Sequence, residues 1–134
     1  MKKSTNIFNK IVLIAGILNF PIGLGTVYQA VSTKTGEDLI HSAVVGLFIM
    51  FAGAAVIWAT KKLNTRAPLI VWNGLVRLIN VFIVAYAALG DGVSQMTLTI
   101  TGMDLMLAII FTIGTVKVTE IPFSKLIVGK TNDL

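Results

Sequence analysis

The stretch Val71–Asn80, VWNGLVRLIN, sets one arginine in the middle of an apolar run that opens at Pro68 and closes at Gly90. Asn73 lies four residues before Arg77 and Asn80 three after it. At about 100° per residue the three side chains fall within about 60° of one another on a helix. A guanidinium so placed can pair with a carboxylate, grip an anionic or carbonyl-bearing ligand through its planar fork, or line a pathway. The matching acid is Asp104. Counted from a hairpin centre near Val93, the two are offset by about five residues, or about 7.5 Å at the helical rise, which a long guanidinium covers. An Arg77–Asp104 ion pair is therefore expected, with both asparagines as further partners.

Other chemistry is sparse. The chain has no cysteine, which excludes disulfides, thiol nucleophiles and thiolate metal sites. His41 is the single histidine, and no close pair of acids lies inside a span, so neither a metal nor a cofactor is expected. Ser42 follows His41 directly, and consecutive helical residues diverge by about 100°, so the two do not form a nucleophile–base pair. The GLG at positions 23–25 follows no strand and is a weak phosphate-loop match. No catalytic residue is assigned, and a membrane enzyme stands as the least favoured of the readings.

The elements that carry these residues follow from composition. Of 134 residues, 55% are hydrophobic and 13% charged; an ordinary soluble domain carries about 25% charged residues. A chain this short has too little interior to hide that apolar surface, so a lipid bilayer is the expected partner. A membrane helix needs about 20 predominantly apolar residues. Four stretches qualify: about 11–31, 39–60, 68–89 and 98–116, followed by a tail, 117–134. The polar breaks STKTGED, KKLNTRA and GDGVSQMT are short enough to force antiparallel neighbours. The expected fold is all-α, an integral membrane antiparallel four-helix bundle forming a single transmembrane domain over 1–134. Pro68 is expected to open helix three, and Gly90 and Gly92 around Asp91 to close it. Pro21 is expected to kink helix one. The tail after Glu120 reads either as a short interfacial segment or as a loose terminus.

Basic residues set the orientation. Lys2, Lys3 and Lys10 precede helix one, Lys61, Lys62 and Arg66 lie between helices two and three, and Lys117, Lys125 and Lys130 follow helix four. Only Lys34 lies on the opposite side. The positive-inside rule then puts both termini in the cytoplasm and Glu37, Asp38 and Asp91 outside. A bacterial inner membrane is the expected location. The net charge of +5 thus reports topology; no long basic stretch interleaves with aromatics, and nucleic acid is not an expected partner. MKKSTNIFNK would suit a signal peptide, but the apolar run continues to Val31 without a convincing A-x-A site, so helix one is expected to stay.

By depth, Asn19 and Arg77 fall near the midplane. Thr26, Asn80, Thr101 and Asp104 lie between it and the outer face, with Tyr28, Gln29, His41 and Tyr86 near the mouth. A polar pocket opening outward is expected, with Asn19, Arg77, Asn80, Asp104, Thr101, Tyr28 and His41 as ligand-binding residues for a small amphipathic or anionic molecule or a lipid headgroup. The competing reading is a purely structural pair of Arg77 and Asp104 that locks helix three to helix four. Small residues on helix one (Gly16, Gly23) and helix two (Ser42, Gly46, Gly53) suggest a packing seam.

The four short helices, cytoplasmic ends and arginine-bearing third helix, WNGLVRLIN, resemble the small four-helix bacterial membrane proteins of the DoxX-like group. The resemblance is one of layout over the whole chain, and it implies a four-helix bundle working beside partner membrane proteins. Length and helix count also resemble the small multidrug-resistance transporters, but their membrane glutamate in helix one has no counterpart here, where that helix offers Asn19. Three function classes follow: a binding or accessory membrane protein, a small homo-oligomeric transporter or channel, and a membrane enzyme. The inner halves IVLIAGIL, AAVIWA, LIVW and LAIIFTIG are nearly apolar, which favours a one-sided pocket over a through-path.

Overall fold

A computed structural model describes residues 2–90 and 92–132. Asp91, expected on the outer side, lies outside the described residues. The elements are α1 (Lys2–Thr33), α2 (Gly36–Thr60), α3 (Leu63–Leu89), α4 (Gln95–Ile109), a π-helical turn (Ile110–Gly114), α5 (Thr115–Thr119) and α6 (Phe123–Ile127), with no strand among the described residues. Four helical stretches, Lys3–Thr33, Gly36–Thr60, Leu63–Leu89 and Gln95–Thr119, are long and apolar enough to cross a membrane. Many of their large apolar side chains stay exposed, among them Leu24, Phe48, Phe51, Phe82, Ile83 and Ile113. That is the surface an apolar solvent would cover. The chain divides into two compact units at Lys61–Lys62.

The first unit is the α1–α2 hairpin, turned by Lys34 and Thr35, with Gly36 supplying a φ of 59°. Its seam is built from small residues seven apart. Gly16 lies against Gly53, and Gly23 against Gly46. A side chain at Gly46 would stand 2.6 Å from the Gly23 carbonyl oxygen, and one at Gly53 2.5 Å from that of Gly16. Missing side chains here let two backbones touch, and dispersion between the apposed surfaces helps to hold the pair. Val12, Ala15, Ala30, Val56 and Ala59 are buried in the same unit. Asn9 Nδ2 donates to the Thr60 carbonyl at 3.0 Å. This contact, with the burial of Phe8, carries α1 back to Lys2, well before the apolar stretch begins. α1 stays helical through Pro21, which is exposed on the helix surface.

The second unit holds the remaining elements. α3 opens at Leu63, not at Pro68. Thr65 and Arg66 N–H groups close the first turn on the Lys62 carbonyl at 3.2 and 3.0 Å. Pro68 withholds its hydrogen bond only from the carbonyl of Asn64, an exposed residue in that first turn, so a proline is tolerated there. Ser94 caps α4 by accepting from the Thr97 N–H at 3.1 Å. α3 approaches the α4 chain closely at Gly74. A side chain there would meet Thr112 Oγ1 at 2.9 Å, Phe111 Cβ at 3.0 Å and the Ala108 carbonyl at 3.2 Å, so the close approach falls on the π-helical turn.

The tail is an ordered element. Glu120 takes a left-handed conformation (φ 58°) and turns the chain back. Ile121 and Leu126 bury against Ala67 and Val71 of α3. The α6 end is a complete Schellman cap: Lys130 N–H donates to the Lys125 carbonyl at 2.9 Å, and Gly129 N–H to that of Leu126 at 3.1 Å. Gly129, at φ 77°, lies under the Trp72 ring, and the Trp72 indole donates to the Ile127 carbonyl at 3.0 Å.

Candidate functional site

Arg77 sits at the middle of α3, and α4 carries Asp104 to meet it. The Arg77 guanidinium pairs with the Asp104 carboxylate through one of its terminal nitrogens. Its Nε donates to Asn73 Oδ1 at 3.0 Å, one turn earlier on the same helix. The guanidinium carbon lies 5.8 Å from the centre of the Phe111 ring, a cation–π distance. Asn80 approaches from the other side, its Nδ2 3.5 Å from the second Asp104 oxygen, at the far limit of a hydrogen bond. Two polar side chains and an aromatic face therefore hold one cation, and Asn80 stands on the carboxylate that pairs with it.

Local sequence explains this convergence. Asn73, Arg77 and Asn80 share a helical face at spacings of four and three. Gly74 beside them lets the α4 chain come near, and Phe111, on the π-helical turn at that approach, is fully buried under the cluster. π-Helical turns recur at functional sites. Here the Thr112 hydroxyl donates to the Ala108 carbonyl at 2.6 Å, and the Thr115 hydroxyl to that of Phe111. Both hydroxyls are thereby taken up inside an apolar helix. Thr101, one turn before Asp104, donates to the Thr97 carbonyl at 2.8 Å, and its hydroxyl proton serves its own helix.

The pair is not sealed. The Arg77 side chain is 16% exposed and that of Asp104 18%. Asn80, next to them, is exposed. An ion pair buried solely for register has no need of an open edge, so this remaining access is the site's most informative feature.

Asn19, Tyr28 and His41 belong to the first unit. Asn19 is buried, its Cβ lying against Gly53 in the glycine seam. Tyr28 and His41 are exposed. This hairpin has its own polar cleft of about 160 Å³, lined by Thr26, Gln29, Ala30, Lys34, Ser42 and Val45. Lys34 Nζ donates to Ser42 Oγ there at 2.6 Å. Sequence reading assigned Lys34 to topology and Ser42 to packing. Their meeting depends on how the two-residue turn lays a long side chain across α2, which no spacing rule gives.

No protein-family model, curated protein or solved structure matches the chain. The functional reading rests on the chemistry of the chain's own residues.

Proposed function

We propose that the chain is an integral membrane protein, built as a single antiparallel four-helix bundle with both termini in the cytoplasm of a bacterial cell, and that it binds a small amphipathic or anionic molecule at the Arg77 cluster. The layout supports placing it near the DoxX-like membrane proteins, as a binding or accessory subunit. The observation that carries the ligand reading is the open edge of the cluster. Arg77 and Asp104 keep partial access midway along two apolar helices, with the exposed Asn80 amide beside them. Intramembrane charges of this kind are costly and are retained where they face a cavity, a partner or a substrate. Arg77 supplies a planar cationic fork, Asn73 and Asp104 hold its orientation, and Asn80 adds an adaptable donor and acceptor.

The ligand this chemistry suits has a carboxylate, phosphate or carbonyl head and an apolar body. It would reach the site from the outer leaflet. A second reading, a lock that fixes α3 on α4, is supported by the direct Arg77–Asp104 contact.

Mass spectrometry of small molecules co-purifying with the protein separates the two. The site reading expects a bound amphiphile in the native protein, lost in Asn80→Leu while that variant's thermal stability stays near the native value. Asn80→Leu with an unchanged set of co-purifying molecules would leave the lock as the whole role of the cluster.

A further inference from the structure

The C-terminal segment has a construction that neither the spans nor the Arg77 cluster requires. Five residues of helix are too few to be stable alone, yet α6 is capped at its end, buried through Leu126 and tied by the Trp72 indole to the Ile127 carbonyl. Three of its outward residues are apolar: Phe123 and Ile127, one turn apart, are 38% and 43% exposed, and Val128 at the C-cap is 63% exposed. Ser124 and Lys125 are exposed too, Ser124 on the arc between Ile127 and Val128 and Lys125 beyond it. Lys62 at the start of α3 and Lys117 and Lys130 around the segment are exposed cations, and among the described residues of the tail Glu120 is the one acid. Trp72, half-exposed, stands at this same end, as tryptophans do at a membrane–water boundary.

We infer that α6 with its flanks is a foot that seats on an anionic phospholipid surface at the basic end of α3. Phe123, Ile127 and Val128 enter the headgroup–acyl boundary, and Lys117, Lys125 and Lys130 meet lipid phosphates. The apolar side chains alone give little affinity, and so do the lysines alone. Both together are what interfacial anchoring needs. Charge complementarity selects the occupant, because the face carries a cluster of cations beside exposed apolar groups and a bilayer of acidic lipids presents the matching order of layers. The lysine stems can lie along the apolar boundary while their ammonium groups reach outward. The tryptophan latch ties the foot to α3 nine residues past Leu63, which orders it before it meets lipid. The inference rests on reading α3 and the α4 stretch as membrane spans.

The cysteine-free chain permits a direct test. A Val128→Cys variant carrying an environment-sensitive nitrobenzoxadiazole probe is reconstituted in nanodiscs of phosphatidylcholine, with and without phosphatidylglycerol. Acrylamide quenching is then measured. The expected result is a blue-shifted, shielded probe only in the anionic discs, with shielding lost in high salt. Adding Lys125→Glu and Lys130→Glu should move the seated population by about thirtyfold, from about tenfold per 1.4 kcal/mol and about 1 kcal/mol per lysine near such a surface. Equal quenching in both lipids overturns the inference, whether the probe is shielded or open. Shielding that follows the number of chains per disc rather than lipid charge assigns the face to a second copy and also overturns it. A Phe82→Cys probe is the internal control: quenching there in both lipids means that α3 does not span, a failure of the membrane reading and not of the foot.

Discussion

Arg77 and Asp104 are a charge pair whose members cannot be judged one at a time. Deleting the Asp104 carboxylate leaves a guanidinium among apolar helices, and deleting Arg77 leaves the carboxylate; each loss in a buried pair costs about 3–5 kcal/mol, whereas replacing both by apolar groups is close to neutral. Arg77→Leu and Asp104→Leu are therefore expected to lower the unfolding midpoint strongly in detergent, and the double variant to recover part of the loss. Strictly additive losses would contradict the observed contact. At this scale the sequence was readable where helix geometry alone decides. The Asn73–Arg77–Asn80 face and the reach from Arg77 to Asp104 follow from periodicity and hairpin arithmetic. The Lys34–Ser42 contact and the seating of Asn19 against Gly53 depend on turn conformation and side-chain packing, which periodicity does not encode.

The glycines separate seam from surface at the scale of the helix pair. A side chain at Gly46 would collide with backbone on Gly23 and with Val27, and backbone cannot step aside as a flexible side chain can. Gly46→Val is expected to destabilise the first hairpin by at least the roughly 1–3 kcal/mol of an overpacked core. Gly25, in α1, has nothing within 4 Å of its would-be Cβ. Gly25→Ala is expected to be neutral or to stabilise by up to about 1 kcal/mol through helix propensity. Circular dichroism during thermal unfolding of the two variants checks the contrast, and similar midpoints would mean that the seam is not the close contact described. The apolar stretches were legible as helices from length and hydropathy, and the small-residue seam from spacing. The start of α3 before Pro68 was not, because a proline six residues into a helix costs little when the carbonyl it deprives belongs to an exposed first turn. The π-helical turn leaves no mark in residue type.

The basic residues make a prediction for the whole molecule that no single contact can. The topology proposed above has Lys61 in the cytoplasm and Lys34 outside. A lone cysteine at Lys34 is expected to react with an impermeant maleimide added to intact cells, and one at Lys61 only after the membrane is opened. The reverse pattern would invert the topology while leaving every helix in place. The same end-to-end bias gives α6 its setting, because the basic end of the second unit is where the tail folds back on Ala67 and Val71.

The α1–α2 seam has the property of a ruler with repeated marks. Asn9 with Thr60, Gly16 with Gly53 and Gly23 with Gly46 are stations seven residues apart on both helices. Sliding one helix by a full station, about 10.5 Å, still brings one glycine opposite another, so packing alone discriminates weakly between alignments. Lys34 and Thr35 remove the ambiguity. They lie at the midpoint of every station pair, and two residues span at most about 7 Å, so a slipped alignment would have to unwind helix to form its turn. Alignment is thus chosen locally, by the turn; the seam supplies strength, and the turn supplies uniqueness. Severed between Lys34 and Thr35, the two helices would keep their affinity for each other and lose the reason to prefer one alignment.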